Sequence, residues 1–265
     1  MRIVVCIKEV LDPSAVNNYA LAGSLKIAAD GRTLDVPGIP RLINAYDEQA
    51  LEAALRLRDA GCECHITAVS IGRELQDPLK HCAALGADEI VSIDADPGAL
   101  DHHVVANILA AYIRSSGGAD LVLCGRQASD DDQGVVPALL GESLDMPVAP
   151  IARALALQDG RLRVTRVTPD GDEVLEGALP AVVTISNELG EPRFPSARDK
   201  MAARKKQAVA VSVADLGLTD EQLTPGVVLA KQYLPEIHGH CEFIEGTPAD
   251  AAAALIARLR ADKLI

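Results

Sequence analysis

The residues with the clearest chemical potential lie between Asp120 and Pro137, in the run DLVLCGRQASDDDQGVVP. Three consecutive carboxylates, Asp130, Asp131 and Asp132, stand just before Gln133, Gly134, Val135, Val136 and Pro137. With Gly134 to Leu144 read as a helix carrying Pro137 in its first turn, the N–H groups of Gln133 to Val136 lack intrahelical partners. Such a helix start holds an anion, for example a phosphate, through hydrogen bonds and the helix dipole together. Carboxylates repel phosphate, so the aspartates are expected to face ribose hydroxyls, cap the helix or meet a basic group. A solvated acidic turn that caps the helix is the competing reading. If backbone donors do the holding, Pro at Gln133 or Gly134 removes a donor and should release the nucleotide, and Asp131→Asn, which keeps an acceptor, should cost much less. No Ser-His-Asp or paired-carboxylate constellation accompanies this stretch, so no acid, base or nucleophile is assigned.

The elements that must position it alternate in type. Leu121, Val122, Leu123 and Cys124 form an apolar run ended by Gly125, the pattern of a strand buried on both faces of a parallel sheet. Arg126, Gln127, Ala128 and Ser129 then lead into the acidic loop. Arg2 to Ile7 reads as a central strand, with Lys8 and Glu9 at the end where open α/β sheets keep ligands. Leu11 to Ile43 reads as a long irregular segment, and Asn44-Ala45-Tyr46-Asp47 opens a helix that Gly61 stops. Further strands (Cys64 to Ile71, Glu89 to Ile93) and helices (Pro78 to Leu85, His102 to Ile113) continue the alternation. Ser116-Gly117-Gly118 resembles the glycine loop of ATP-cleaving synthetases, but here it ends a helix and precedes a strand, so it reads as a C-cap. The expected architecture is an α/β, doubly wound parallel sheet of Rossmann-like type.

After Pro147 the pattern becomes antiparallel, with strands near Ala152 to Leu157, Arg161 to Val167 and Glu173 to Leu175 joined at Asp159-Gly160 and Asp170-Gly171. Ala181 to Ser186 reads as a strand that rejoins the sheet, followed at Glu191 to Lys206 by the most basic stretch of the chain. That stretch reads as a solvated helix or a docking surface, with Arg193, Lys200, Arg204, Lys205 and Lys206 among its cations. Residues 1–207 are expected to form the α/β domain, with a recognition loop at 187–206, and 208–265 an extension that packs on a partner.

Composition narrows the classes. In 265 residues, 49% are hydrophobic and only 2% aromatic, so the core is aliphatic. A net charge of −13 argues against nucleic-acid binding. No apolar run approaches the roughly 18 residues of a membrane span, and a cytoplasmic location is expected. Cys6, Cys64, Cys82 and Cys124 read as reduced core residues. Cys62, Cys64 and His65, and far downstream His238, His240 and Cys241, lack zinc-finger spacing, so no metal is assigned.

Several stretches together resemble the beta subunit of electron transfer flavoprotein and its nitrogen-fixation and bifurcating relatives. They are VVCIKEVLD at Val4 to Asp12, INAYDEQALEAALRLRD at Ile43 to Asp59, TAVSIG at Thr67 to Gly72 and ALGAD at Ala84 to Asp88. LVLCGRQASDDD at Leu121 to Asp132, LPAVVTISNELGEPRF at Leu179 to Phe194 and KMAARKK at Lys200 to Lys206 follow in the same order. The resemblance implies a heterodimer whose alpha subunit holds FAD and carries electrons from a donor dehydrogenase to an acceptor quinone reductase, while the beta subunit keeps AMP. Its AMP site maps onto Cys6, Asn44 to Asp47, Ile71 and Leu121 to Val136, and its dehydrogenase-recognition loop onto Glu191, Arg193, Phe194, Ala197 and the basic residues after it.

Departures from the family pattern are specific. Val135-Val136-Pro137 replaces the usual Gln-Thr-Gly or Gln-Val-Gly, Ala45 stands where Pro is common, and Ala197 replaces an anchoring Leu. The bifurcating branch places a second FAD in the beta site, and Cys124 to Gln127 with EPRFPS resemble that branch, whereas Asp130 to Asp132 resemble the AMP-binding one. A stand-alone nucleotide sensor of universal-stress type is the alternative outside the family.

Overall fold

The computed structural model describes residues 1–234 and 241–265, so His238 and His240 lie outside the described residues. A nine-stranded sheet organises the chain, in the order β11-β5-β4-β1-β6-β10-β7-β8-β9. In chain order its strands are β1 (Arg2–Ile7), β4 (His65–Gly72), β5 (Glu89–Asp94), β6 (Leu121–Gly125), β7 (Val148–Gln158), β8 (Arg161–Thr168), β9 (Gly171–Gly177), β10 (Ala181–Ile185) and β11 (Val209–Ser212). Neighbours from β11 to β7 run parallel, and β8 and β9 add antiparallel. The expected doubly wound sheet with an antiparallel addition is therefore present.

Alternation along the strands builds both layers. Ile3, Val5 and Ile7 of β1 face a core with α2 (Ala45–Asp59) and α3 (Gln76–Leu85). Val4 and Cys6 face a second core with α4 (His102–Ser115) and α5 (Val136–Leu144). Strands buried on both faces need apolar residues at every position, which is why β6 and β10 read as continuous apolar runs. From β1 the chain moves through β4 to β5, then returns to place β6 on the other side of β1. The switch point thus falls between β1 and β6, where open sheets leave a crevice at the strand ends.

Two segments differ from expectation. Leu11 to Ile43 is not irregular throughout: β2 (Glu9–Leu11) pairs antiparallel with β3 (Arg41–Ile43), and α1 (Pro13–Leu21) lies between them. Asp12 accepts from Ser14 N–H as N-cap and Pro13 occupies the first turn, a start signal the periodicity hid because no residue of α1 is buried. Beyond Lys206 the chain first adds β11 to the sheet edge beside β5, so it leaves the sheet only after Ser212. Then follow the short α7 (Asp220–Leu223), closed by a Thr219/Gln222 capping box, and α8 (Pro248–Ala261), which buries no residue. None of the helices is long and apolar enough to cross a membrane among the described residues.

Candidate functional site

The start of α2 bridges the ends of β1 and β6. Asn44 is its N-cap residue, but its side chain turns to the loop after β6, donating to Gln127 O at 2.8 Å and accepting from Ser129 N–H at 3.4 Å. This accounts for an asparagine only 1% exposed. Asp47, in the first turn, accepts from Lys8 N–H at 2.8 Å and Gly125 N–H at 2.9 Å, so one carboxylate pins the ends of β1 and β6. Burial pushes its pKa up to about 7 against those hydrogen bonds. Gly125 is required by contact: a Cβ there would lie 2.7 Å from Tyr46 Cβ. The Arg126 guanidinium sits 5.9 Å over the Tyr46 ring and reaches Ser186 Oγ at 3.4 Å.

The acidic loop closes on cations of the same chain. Lys8 Nζ meets Asp130 at 2.7 Å and Asp131 at 3.3 Å, and His102 Nε2 meets Asp131 at 2.9 Å. Burial pushes Asp131 up, but His102 and Lys8 outweigh it and leave its pKa lowered. Asp131 also accepts from Gln133 N–H at 3.2 Å, and Asp132, at φ 53°, accepts from Gln127 Nε2 at 2.8 Å. None of the three caps α5, whose N-cap residue is Val135 without a side-chain hydrogen bond. Of the readings open for the aspartates, the meeting with a basic group is the one observed for Asp130 and Asp131.

These contacts bear on two expectations. Asp131→Asn would delete a charge that meets both Lys8 and His102. Gln133 N–H is engaged by Asp131, and Gly134 sits at φ 62° with space for a Cβ denied by Arg126 O at 2.6 Å, so Pro at either position tests the loop rather than a donor. The N–H groups of Gly134, Val135 and Val136 make no hydrogen bond among the described residues; Gly134 and the N-cap residue Val135 lead into α5, and Val136 is its first residue.

Ala128 is buried at the loop's start. Ala45 and Tyr46 lie in the first turn of α2, and Ile71 stands one strand over from β1 on the α4 side. Leu121, Val122 and Leu123 are buried supports of the crevice rather than its surface. Cys6 and Cys124 are buried in the same core under it, and the Cys6 thiol, then burial, hold Cys124 well above the ordinary thiol pKa. Lys8 was legible only as a residue at a strand end. His102 was not legible as a site residue, because nothing in its local sequence says that the start of α4 meets the loop after β6.

The segment after β10 is anchored on α2. Arg56 donates to Leu189 O at 2.7 Å and Glu191 O at 3.2 Å, and Gln49 to Gly190 O at 3.2 Å. Arg193 pairs with Glu52 at 2.7 Å and Asp59 at 2.6 Å. Burial pushes Glu52 up, but hydrogen bonds from Arg193 and Arg56 leave its pKa lowered. Lys206 donates to Ala87 O at 2.8 Å. Arg193 and Lys206 are thus turned inward, whereas Lys200, Arg204 and Lys205 are exposed on and beside α6 (Ala197–Ala203). Phe194 is 90% and Met201 68% exposed. Shallow grooves of about 380 Å³, between α4 and Leu216 to Gln222, and about 390 Å³, between α3 and α6, lie away from the crevice.

Residues 34–216 match the family described as the electron transfer flavoprotein domain. The chain is 32% identical to the caffeyl-CoA reductase-Etf complex subunit CarD of Acetobacterium woodii, with 100% of both chains covered. It is 31% identical to the electron transfer flavoprotein subunit beta of Megasphaera elsdenii over 84% of this chain and 82% of that one. Identity to the Bacillus subtilis subunit beta is 30%, over 89% and 93%. With its sheet, its switch-point crevice and these likenesses in register, the chain belongs to the electron transfer flavoprotein beta-subunit family.

Proposed function

We propose that this chain is the beta subunit of a heterodimeric electron transfer flavoprotein and holds AMP in the crevice between β1 and β6, beside an alpha subunit that carries FAD. The observation that carries the reading is the uncapped start of α5, where the N–H groups of Gly134, Val135 and Val136 have no acceptor among the described residues and glycines at 125 and 134 keep the backbone close. A phosphate fits those donors. Lys8 and His102 offset the carboxylates that would otherwise repel it. The residues supply binding and orientation, and the flavin of the partner supplies the redox chemistry when bound. Val213, Leu216, Leu218 and Leu223 pack on the core beside α4, and residues 224–265 are the extension that packs on the alpha subunit.

A second reading puts FAD, which contains the AMP moiety, in the same crevice. It is supported by the wording of Cys124 to Gln127 and by the full-length likeness to a subunit of a reductase-Etf complex. Denaturing the co-purified heterodimer and identifying released nucleotide by chromatography separates the two. One FAD with one AMP supports the first, two FAD the second, and no adenine nucleotide beyond the alpha FAD contradicts both.

Docking of electron donor or acceptor is assigned to Phe194, Met201 and the exposed trio Lys200, Arg204 and Lys205. Reversing the three charges should slow reduction by the donor at low salt and matter little at high salt. Unchanged rates at low salt would remove this surface from the reading.

A further inference from the structure

Cys62 and Cys64 flank Glu63 on the link between α2 and β4, at the sheet end opposite the crevice. Exposure alternates along this link: Cys62 and Cys64 are half-buried, while Glu63 and His65 are exposed. This period of two belongs to extended chain, so both thiols share one face. Both also pack against the core under α2. His65 turns outward, 4.0 Å from Asp88 and 3.9 Å from Glu89.

Among the described residues no group of three or more His, Cys, Asp and Glu side chains is placed to hold a metal ion. A tetrahedral zinc site would be short of ligands here. Soft d10 ions that bind digonally ask for no more than a pair of thiolates, and thiolate is the ligand type that selects Cu(I). We propose that Cys62 and Cys64 form a dithiolate site for a soft monovalent cation of the Cu(I) class. Binding joins both sulfurs to the ion and releases both thiol protons to solvent, with no change of oxidation state. Cys6 and Cys124, the other neighbouring thiol pair, are buried beneath the crevice and have no comparable access.

The test uses the reduced full chain without oxygen, loaded with Cu(I) as its acetonitrile complex and challenged with bicinchoninate. The chain should retain one ion and show an ultraviolet thiolate-to-copper band. Cys62→Ser and Cys64→Ser should each weaken retention by more than about 100-fold, since even changes outside the ligands cost roughly 10–100-fold. Cys241→Ser, at an exposed cysteine elsewhere, should leave retention unchanged. Both ligand positions are only half-buried, and the unfolding midpoint of each variant verifies that it is folded. No retention by the wild type, or full retention by the Cys62→Ser, Cys64→Ser double variant, would overturn the proposal.

Discussion

Asp47 shows how a single side chain can join the ends of two strands. Its carboxylate ties Lys8 N–H to Gly125 N–H, and Asn at this position would replace one acceptor by an NH2 group facing a donor. Asp47→Asn should therefore cost about 1–3 kcal/mol. The folded state binds the Asp47 proton more tightly than the unfolded chain, with a pKa of about 7 against 3.8. Its contribution is full below about pH 4 and is lost as pH rises through about 7, so the deficit of Asp47→Asn should shrink over that range. Urea unfolding of both proteins at about pH 5 and about pH 8 measures this, and a deficit that grows with pH would refute it. At this scale the sequence was only partly readable. The strand-end position of the Asp120 to Pro137 loop follows from an apolar run and a helix start, both local signals. Which cation meets Asp131 depends on where β1 and α4 end in space, and neither Lys8 nor His102 carries a local mark of it.

Helix α2 links the crevice to the segment after β10, because Asn44 at its N-cap and Asp47 in its first turn meet the strand ends while Gln49, Glu52 and Arg56 hold that segment. The Glu52 side chain is only 6% exposed and receives both Arg56 and Arg193. Glu52→Ala should destabilise the protein by about 1–3 kcal/mol and loosen the loop at Glu191 to Ser196, read as faster limited proteolysis there. Proteolysis no faster than in wild type would show that the loop is held by something else. The helices and strands that bury a face were legible from periodicity, as Ala50, Leu51, Ala54 and Leu55 illustrate. Helix α1 was not, since none of its residues is buried, and β11 was not, since four residues at a sheet edge give too short a pattern.

For the molecule as a whole, the exposed apolar residues concentrate late in the chain, with Val227, Val228, Leu229, Tyr233, Phe243, Leu255 and Ile256 among them. Among the described residues of 224–265, only a few hydrogen bonds reach the sheet domain, such as Gly226 and Val227 N–H to Asp101 and Gln232 N–H to Gly31 O. Expressed alone, the chain should self-associate by light scattering, and co-expression with an alpha subunit should abolish this. A stable monomer in isolation would contradict the assignment of residues 224–265 to a partner. The central claim, that backbone donors at the start of α5 hold a nucleotide phosphate, is tested most directly at Val136, the first residue of that helix. Pro is tolerated at a first helical position but brings no N–H. Nucleotide per heterodimer, measured after denaturation and chromatography, should fall at least about tenfold in Val136→Pro, the equivalent of about 1.4 kcal/mol, and stay at the wild-type level in Val136→Ala. Equal occupancy in Val136→Pro and wild type would contradict the account.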